Sequence, residues 1–369
     1  MQNKISVSRL SGRGAIALLL VFYISSSNTM GTAAHMGGDT WITQLLGFVM
    51  AIPLLLIFAR LIKLMPGKDL FGMLDFSFGR VLALVIGVLY LYYFIILAAT
   101  IQRHHAEFVG LVSLRETPQI VILLALFGIG VYLAKSGIQV LGKWSSVIAL
   151  AVVFIMLLLT LLALPNMQAA NLLPIGNHSA RDFAQNGVRT AILPFGEAIV
   201  LLALIGHLDR KANPYRLFLV GAGIAAVFFA LSFLRDAAVL GEQSMADLYF
   251  PSFKSASVIQ IGSIGSRVEF LAAISFLLTG ITKIAVCMIA AARAARRVFS
   301  LSDENPIIIS VALLTTAFAA ILFPNVVELF AFSHTYVYFA PIFQLGIPLL
   351  VWLIAEIKTR GKPILDAEH

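Results

Sequence analysis

Ten stretches of this chain are apolar over about 20 residues, the length a helix needs to cross a hydrocarbon core, and two of the ten are interrupted partway. They lie near 14–34, 41–62, 80–102, 119–135, 143–164, 187–206, 214–240, 266–292, 305–323 and 334–356. Turn-forming residues separate them: Pro66-Gly67, Thr117-Pro118, Pro165, Asn213-Pro214, Asn305-Pro306 and Phe323-Pro324. Such spacing leaves few alternatives. Of the 369 residues, 60% are hydrophobic and 12% charged, where soluble domains carry about 25% charged residues. The expectation is an all-α polytopic membrane protein with ten transmembrane helices in a single permease-like domain over 1–369. A cleaved signal peptide is a weaker reading of the first stretch, since nine spans would remain and the charge pattern below would lose its regularity.

The two interruptions constrain the fold further. Span 6 contains Leu193-Pro194-Phe195-Gly196-Glu197, and span 1 contains Ser25-Ser26-Ser27-Asn28 running to Gly31. A helix broken at membrane depth strands backbone polar groups, which hydrocarbon tolerates only where the break lines a cavity inside the protein. Paired breaks at matching places in two halves point to the binding site of a secondary-transporter architecture. Ten spans divide into five plus five, a first repeat of about 10–165 and a second of about 185–357. Five is odd, so the halves run in opposite senses through the membrane, as an inverted repeat with broken helices 1 and 6 requires.

Charge sets the expected orientation. Of 26 lysines and arginines, 18 fall on the side that would hold both termini and 7 on the other, with Lys283 left inside span 8. The positive-inside rule makes the richer side cytoplasmic. Topology therefore accounts for the net charge of +8, and no nucleic-acid partner is called for. The single cysteine, Cys287, excludes a disulfide within the chain, and the seven histidines show no metal-ligand spacing. No nucleotide loop or nucleophile triad is present, so neither enzyme activity nor a cofactor is expected.

The candidate ligand-binding residues are those of the breaks: Ser26, Ser27, Asn28 and Gly31 in span 1, and Pro194, Phe195, Gly196 and Glu197 in span 6. A carboxylate at membrane depth is costly unless it is paired, protonated or wet. Glu197 is expected either to contact a ligand amine or to hold the break open; its bland reading is a protonated cap on the half-helix. Free amides at a half-helix start suit an anionic group, while serines bonding back within an intact helix are the plain alternative for span 1. Lys283 and Glu269 are candidate coupling or structural charges. They share a face of span 8 about 21 Å apart along the axis, with Ala272, Ala273, Phe276, Gly280 and Cys287. Leu271, Ile274, Leu278, Ile281 and Met288 are expected to face lipid. Snorkelling of Lys283 to the interface is disfavoured, because Arg293 lies ten residues beyond it. Tyr90, Tyr92 and Tyr93 read as core or interface aromatics, His104 and His105 as residues of the outer interface, and His334, Tyr336 and Tyr338 as an interfacial belt. The 242–265 loop, with Tyr249-Phe250-Pro251 and Val258-Ile259-Gln260-Ile261, is apolar enough to lie over the bundle as a lid.

With these residues in view, the chain resembles the spore germination permeases, the B subunits of nutrient germinant receptors. The resemblance runs through Pro194-Phe195-Gly196-Glu197 and Tyr249-Phe250-Pro251-Ser252-Phe253. It continues in Ile259-Gln260-Ile261-Gly262, Arg267-Val268-Glu269, Thr282-Lys283-Ile284 and the Gly38-Asp39-Thr40-Trp41 turn, and covers nearly the whole chain. It implies membership of the amino acid-polyamine-organocation superfamily, with its five-plus-five fold. It also implies recognition of a small nutrient, often an amino acid, in the inner membrane of a bacterial endospore, alongside A- and C-type subunits. The glycine pair usual in that superfamily's span 1 break is replaced here by Ser25-Ser26-Ser27-Asn28, with Gly31 alone. The rival readings are an autonomous proton-coupled amino acid transporter and a structural anchor with a vestigial cavity.

Overall fold

The computed structural model describes residues 10–27, 34–209, 211–259 and 267–359, and these are mostly helical, with no β-strand among them. Helix α1 spans Gly12–Ser27, and a 3₁₀ turn, Ala34–Asp39, leads into α2, Thr40–Leu64. Then follow α3 (Leu70–Val112), α4 (Gln119–Lys135) and α5 (Ile138–Ala163). The sixth apolar segment is a composite that begins with α6 (Ala180–Thr190) and ends with α7 (Ile199–Leu202). After it come α8 (Pro214–Leu240), the short α9 (Glu242–Ala246) and α10 (Pro251–Ser257), and then α11 (Glu269–Val298) and α12 (Asn305–Ile321). The last span is α13 (Val326–Pro341), a π turn (Ile342–Gly346) and α14 (Ile347–Thr359). Six of these segments are long and apolar enough to cross a membrane by themselves, and three shorter apolar helices match spans 1, 4 and 9.

Local chemistry sets the boundaries. Asp69 accepts from the Gly72 N–H at 2.9 Å to start α3, and Asn213 caps α8 ahead of Pro214 at its first position. Ser179 and Asp182 form a reciprocal capping box on α6. Gly79, at φ 75°, turns the chain inside α3 and separates its first nine residues from the long apolar rod.

The packing repeats when each span is exchanged for the one five later. Helix α2 lies along α8, and α3 along α11. Helix α1 packs on α8 as α6 packs on α2; α12 meets α3 as α4 meets α11; α14 meets α3 as α5 meets α11. The pattern is not complete: among the described residues α1 runs along α11 without a comparable contact of α6 or α7 on α3. That asymmetry falls where the charged residues lie.

Several expectations change in three dimensions. Of the α11 stripe expected to face lipid, Leu271, Ile274, Leu278 and Ile281 are only half-buried, but Met288 is fully buried and, with Ile284, lines the notch at Gly130 of α4. The helix is central because α3, α4, α5 and α12 all pack on it. His104 and His105 are not interfacial: α3 continues past them, and they are 1% and 0% exposed. Tyr336 is likewise buried at 2%, while Tyr338 at 81% remains on the bundle's outer surface. The 242–259 part of the long loop does fold onto the bundle. Ser252 and Ser255 both donate to Asp236 on α8, whose carboxylate also takes the Arg235 guanidinium at 2.7 Å.

Candidate functional site

The break in span 6 is a change of helical pitch rather than an opening. From Ala191 to Phe195 the chain forms a π turn, from Gly196 to Ala198 a 3₁₀ turn, and then α7 resumes. Pro194 brings no N–H, and the Gly196 N–H reaches back five residues to the Ala191 carbonyl. Such a bulge redirects every side chain beyond it. Gly196 itself stays right-handed, with φ −67° and ψ −27°, so its role is space rather than backbone freedom. A Cβ there would lie 2.1 Å from Gln344 Oε1.

The redirected chain points Glu197 into the interior, where it is 0% exposed and ion-paired with Lys283, itself 1% exposed. The Lys283 ammonium also sits 4.5 Å from the centroid of the Phe22 ring on α1, within cation–π range. One lysine of span 8 thus ties spans 6 and 1 together. Desolvating both charges is tolerable because each meets the other. The sequence reading singled out both residues separately; the structure brings them together across 86 positions.

On the other flank of Gly196, Gln344 projects from the π turn of span 10. Its amide donates to the hydroxyls of Tyr93 at 3.0 Å and Tyr336 at 3.2 Å, and those hydroxyls bond each other at 2.8 Å. Tyr90 donates to the Phe343 carbonyl at 2.8 Å, and the Tyr93 ring stacks on Phe343 at 4.7 Å. Phe195 turns away towards Tyr23 at 5.3 Å and Phe48 at 5.8 Å. Sequence reasoning missed Gln344 and Phe22. For Gln344 a signal was available: Pro341, Gly346 and Pro348 punctuate span 10 much as Pro194 and Gly196 punctuate span 6.

The remaining candidates do not join this centre. Helix α1 continues through Ser27, so residues 25–27 keep the helical backbone where the sequence suggested unwinding. The side chains of Ser26 and Ser27, together with Asn28 and Gly31, lie outside the described residues. Glu269 sits at the start of α11, 3.8 Å from the exposed Arg267, and does not reach Lys283.

Aromatic contacts flank the centre on one side and ion pairs on the other. Towards α10, Phe108, Phe250 and Phe276 pack edge-to-face or tilted with ring centroids 4.5–6.0 Å apart, and His105 stacks on Phe276 at 4.2 Å. At the opposite end, Arg293 donates to the Ala203 and Leu204 carbonyls just beyond α7, at 2.9 and 3.2 Å, and pairs with Glu304. Arg297 pairs with Asp75 and Arg60 with Glu356 on the same face.

Comparison with known proteins agrees with this architecture. A family model described as "Spore germination protein" matches residues 9–326. Among curated proteins of Bacillus subtilis (strain 168), spore germination protein KB is 20% identical over 96% of this chain and 96% of its own length. Spore germination protein YndE is 22% identical, covering 88% and 89%, and spore germination protein A2 is 23% identical, covering 87% of each. Among solved structures, the transporter Mhp1 with bromovinylhydantoin bound superposes with TM-score 0.71 at 12% identity, covering 93% of this chain and 78% of that one. MhsT in complex with L-phenylalanine gives 0.72 at 11% identity, covering 95% and 88%. The fold is therefore that of these transporters, and the chain is an integral, multi-pass membrane protein.

Proposed function

The chain belongs to the spore germination protein family, and from that premise we propose that it is the ligand-binding, permease-like subunit of a germinant receptor. The ligand is a small nutrient, in the first instance an amino acid, held at mid-membrane between spans 1 and 6 and walled by spans 3 and 8. Its carboxylate meets the span 1 amides, and its ammonium the carbonyls of the span 6 break, where Glu197 supplies negative charge balanced by Lys283. The chief support is the buried Glu197–Lys283 pair at the change of pitch. An ion pair in that position needs a purpose beyond stability, since apolar residues of equal volume would serve stability as well. Binding shifts the population between open and occluded arrangements, which requires different affinities for the two.

Under this reading both termini face the cytoplasm, the protein sits in the inner membrane of an endospore, and A- and C-type subunits join it. The division into repeats at about 10–165 and 185–357 draws support from the exchangeable packing of spans five apart. The second reading, an autonomous proton-coupled amino acid transporter, draws on the buried ammonium of Lys283 at the span 6 break. Liposomes holding the purified chain decide between them: saturable amino acid binding without uptake fits a receptor, and proton-linked uptake a transporter. Lys283→Arg sharpens the choice. Arginine keeps its charge, so a receptor retains its response in Lys283→Arg and loses it in Lys283→Ala, whereas proton exchange is lost in both.

A further inference from the structure

The polar cluster on span 10 has hydrogen-bonding capacity left over. Gln344 is 1% exposed, and its Oε1 has no hydrogen-bond partner. Both amide N–H groups are committed to Tyr93 and Tyr336. Between the two phenols, one O–H is committed to the other's oxygen, so one O–H remains uncommitted. The cluster therefore holds one acceptor and one donor, both uncharged, with the Gln344 amide oxygen seated in the notch at Gly196, where a Cβ would lie 2.1 Å from it. A buried acceptor without a partner is costly, and the surroundings hold this one in place. Phe343 is stacked on Tyr93, its carbonyl is taken by Tyr90, and the π turn fixes where the Gln344 amide projects.

We propose that Gln344, with Tyr93 and Tyr336, forms a specificity subsite for an uncharged donor–acceptor group of the ligand, a carboxamide or hydroxyl edge. The proposal rests on the ligand-site reading above and adds what that site selects. Charged groups are disfavoured here because the nearby carboxylate and ammonium, Glu197 and Lys283, already neutralise each other, so a further charge would be buried without a counterion. Apolar groups are disfavoured because they leave the Gln344 carbonyl unsatisfied. Sites that hydrogen-bond a substrate group reject analogues lacking it far more strongly than hydrophobic pockets reject a missing methylene.

The test uses the full chain in nanodiscs and three probes of similar length: glutamine, its apolar counterpart methionine, and glutamate. Wild type is expected to bind glutamine at least about tenfold more tightly than the other two, the factor that one satisfied buried hydrogen bond supplies. Gln344→Leu should bring glutamine and methionine to within about twofold, and Tyr336→Phe, a gentler change, should lower the glutamine preference in the same direction. A wild type that prefers methionine or glutamate overturns the subsite. So does a glutamine preference that survives in both variants, which would mean that the cluster holds only a water molecule. Should wild type bind none of the three, the ligand-site reading itself falls, and the subsite with it.

Discussion

Replacing Glu197 and Lys283 singly and together measures how much of the fold hangs on one ion pair. Both side chains are at most 2% exposed, so solvent screening is weak. Two unit charges about 4 Å apart attract by about 4 kcal/mol at an effective dielectric of about 20. Removing one partner forfeits that attraction and leaves the other charge buried, and the usual loss is about 3–5 kcal/mol. Glu197→Gln and Lys283→Met should each fall in that range when unfolding is followed by circular dichroism in mixed SDS micelles. The double variant has no buried charge left to strand, and Gln and Met approximate the original volumes. It should therefore be more stable than the sum of the single losses implies, with a coupling of about 2–3 kcal/mol. Strict additivity, within about 0.5 kcal/mol, would refute the pairing. Recovered stability without recovered nutrient response is the result expected if the pair also serves the site.

The other predictions follow from close contacts and exposure. Gly196→Ala places a methyl on the Gln344 amide and should cost about 1–3 kcal/mol by overpacking, with Gln344→Ala in the same chain relieving much of it; Gly196→Leu should abolish nutrient response while membrane insertion persists. Gly280→Ala puts a Cβ 1.8 Å from His105 Nε2, and a matching loss, rescued by His105→Ala, is expected in the same unfolding assay. Asp236→Ala strands the buried Arg235 and frees Ser252 and Ser255, so protease should cut near α10 sooner than in wild type. For topology, cysteines at the exposed Lys254 and Lys135 in a Cys287→Ser background should be labelled from opposite sides of the membrane, and labelling of both from one side would sink the ten-span model. Asp39, buried beneath Gly176 and His178, is no use as a reporter.

What the amino-acid order determines by itself is whatever hydrocarbon enforces on each segment alone. Length and apolarity mark the spans, Pro214 with Asn213 and Ser179 with Asp182 mark helix starts, and Pro194 with Gly196 marks where span 6 cannot stay regular. Glu197 and Lys283 are recognisable because charge inside an apolar run is expensive wherever it lies. Their partnership is not recognisable, since 86 residues separate them and only the crossing of spans 6 and 8 brings them together. Burial is equally a property of the assembly. His104, His105, Tyr336 and Met288 sit at positions whose local sequence suits an interface or a lipid-facing stripe, and neighbouring helices enclose them. The character of the break was also decided in three dimensions. Pro194 requires that a hydrogen bond be lost, but whether the chain unwinds or shifts through π and 3₁₀ turns depends on what fills the space beside it. At Gly196 the filler is Gln344, delivered by a second π turn some 150 residues away, and no local pattern in span 6 specifies it.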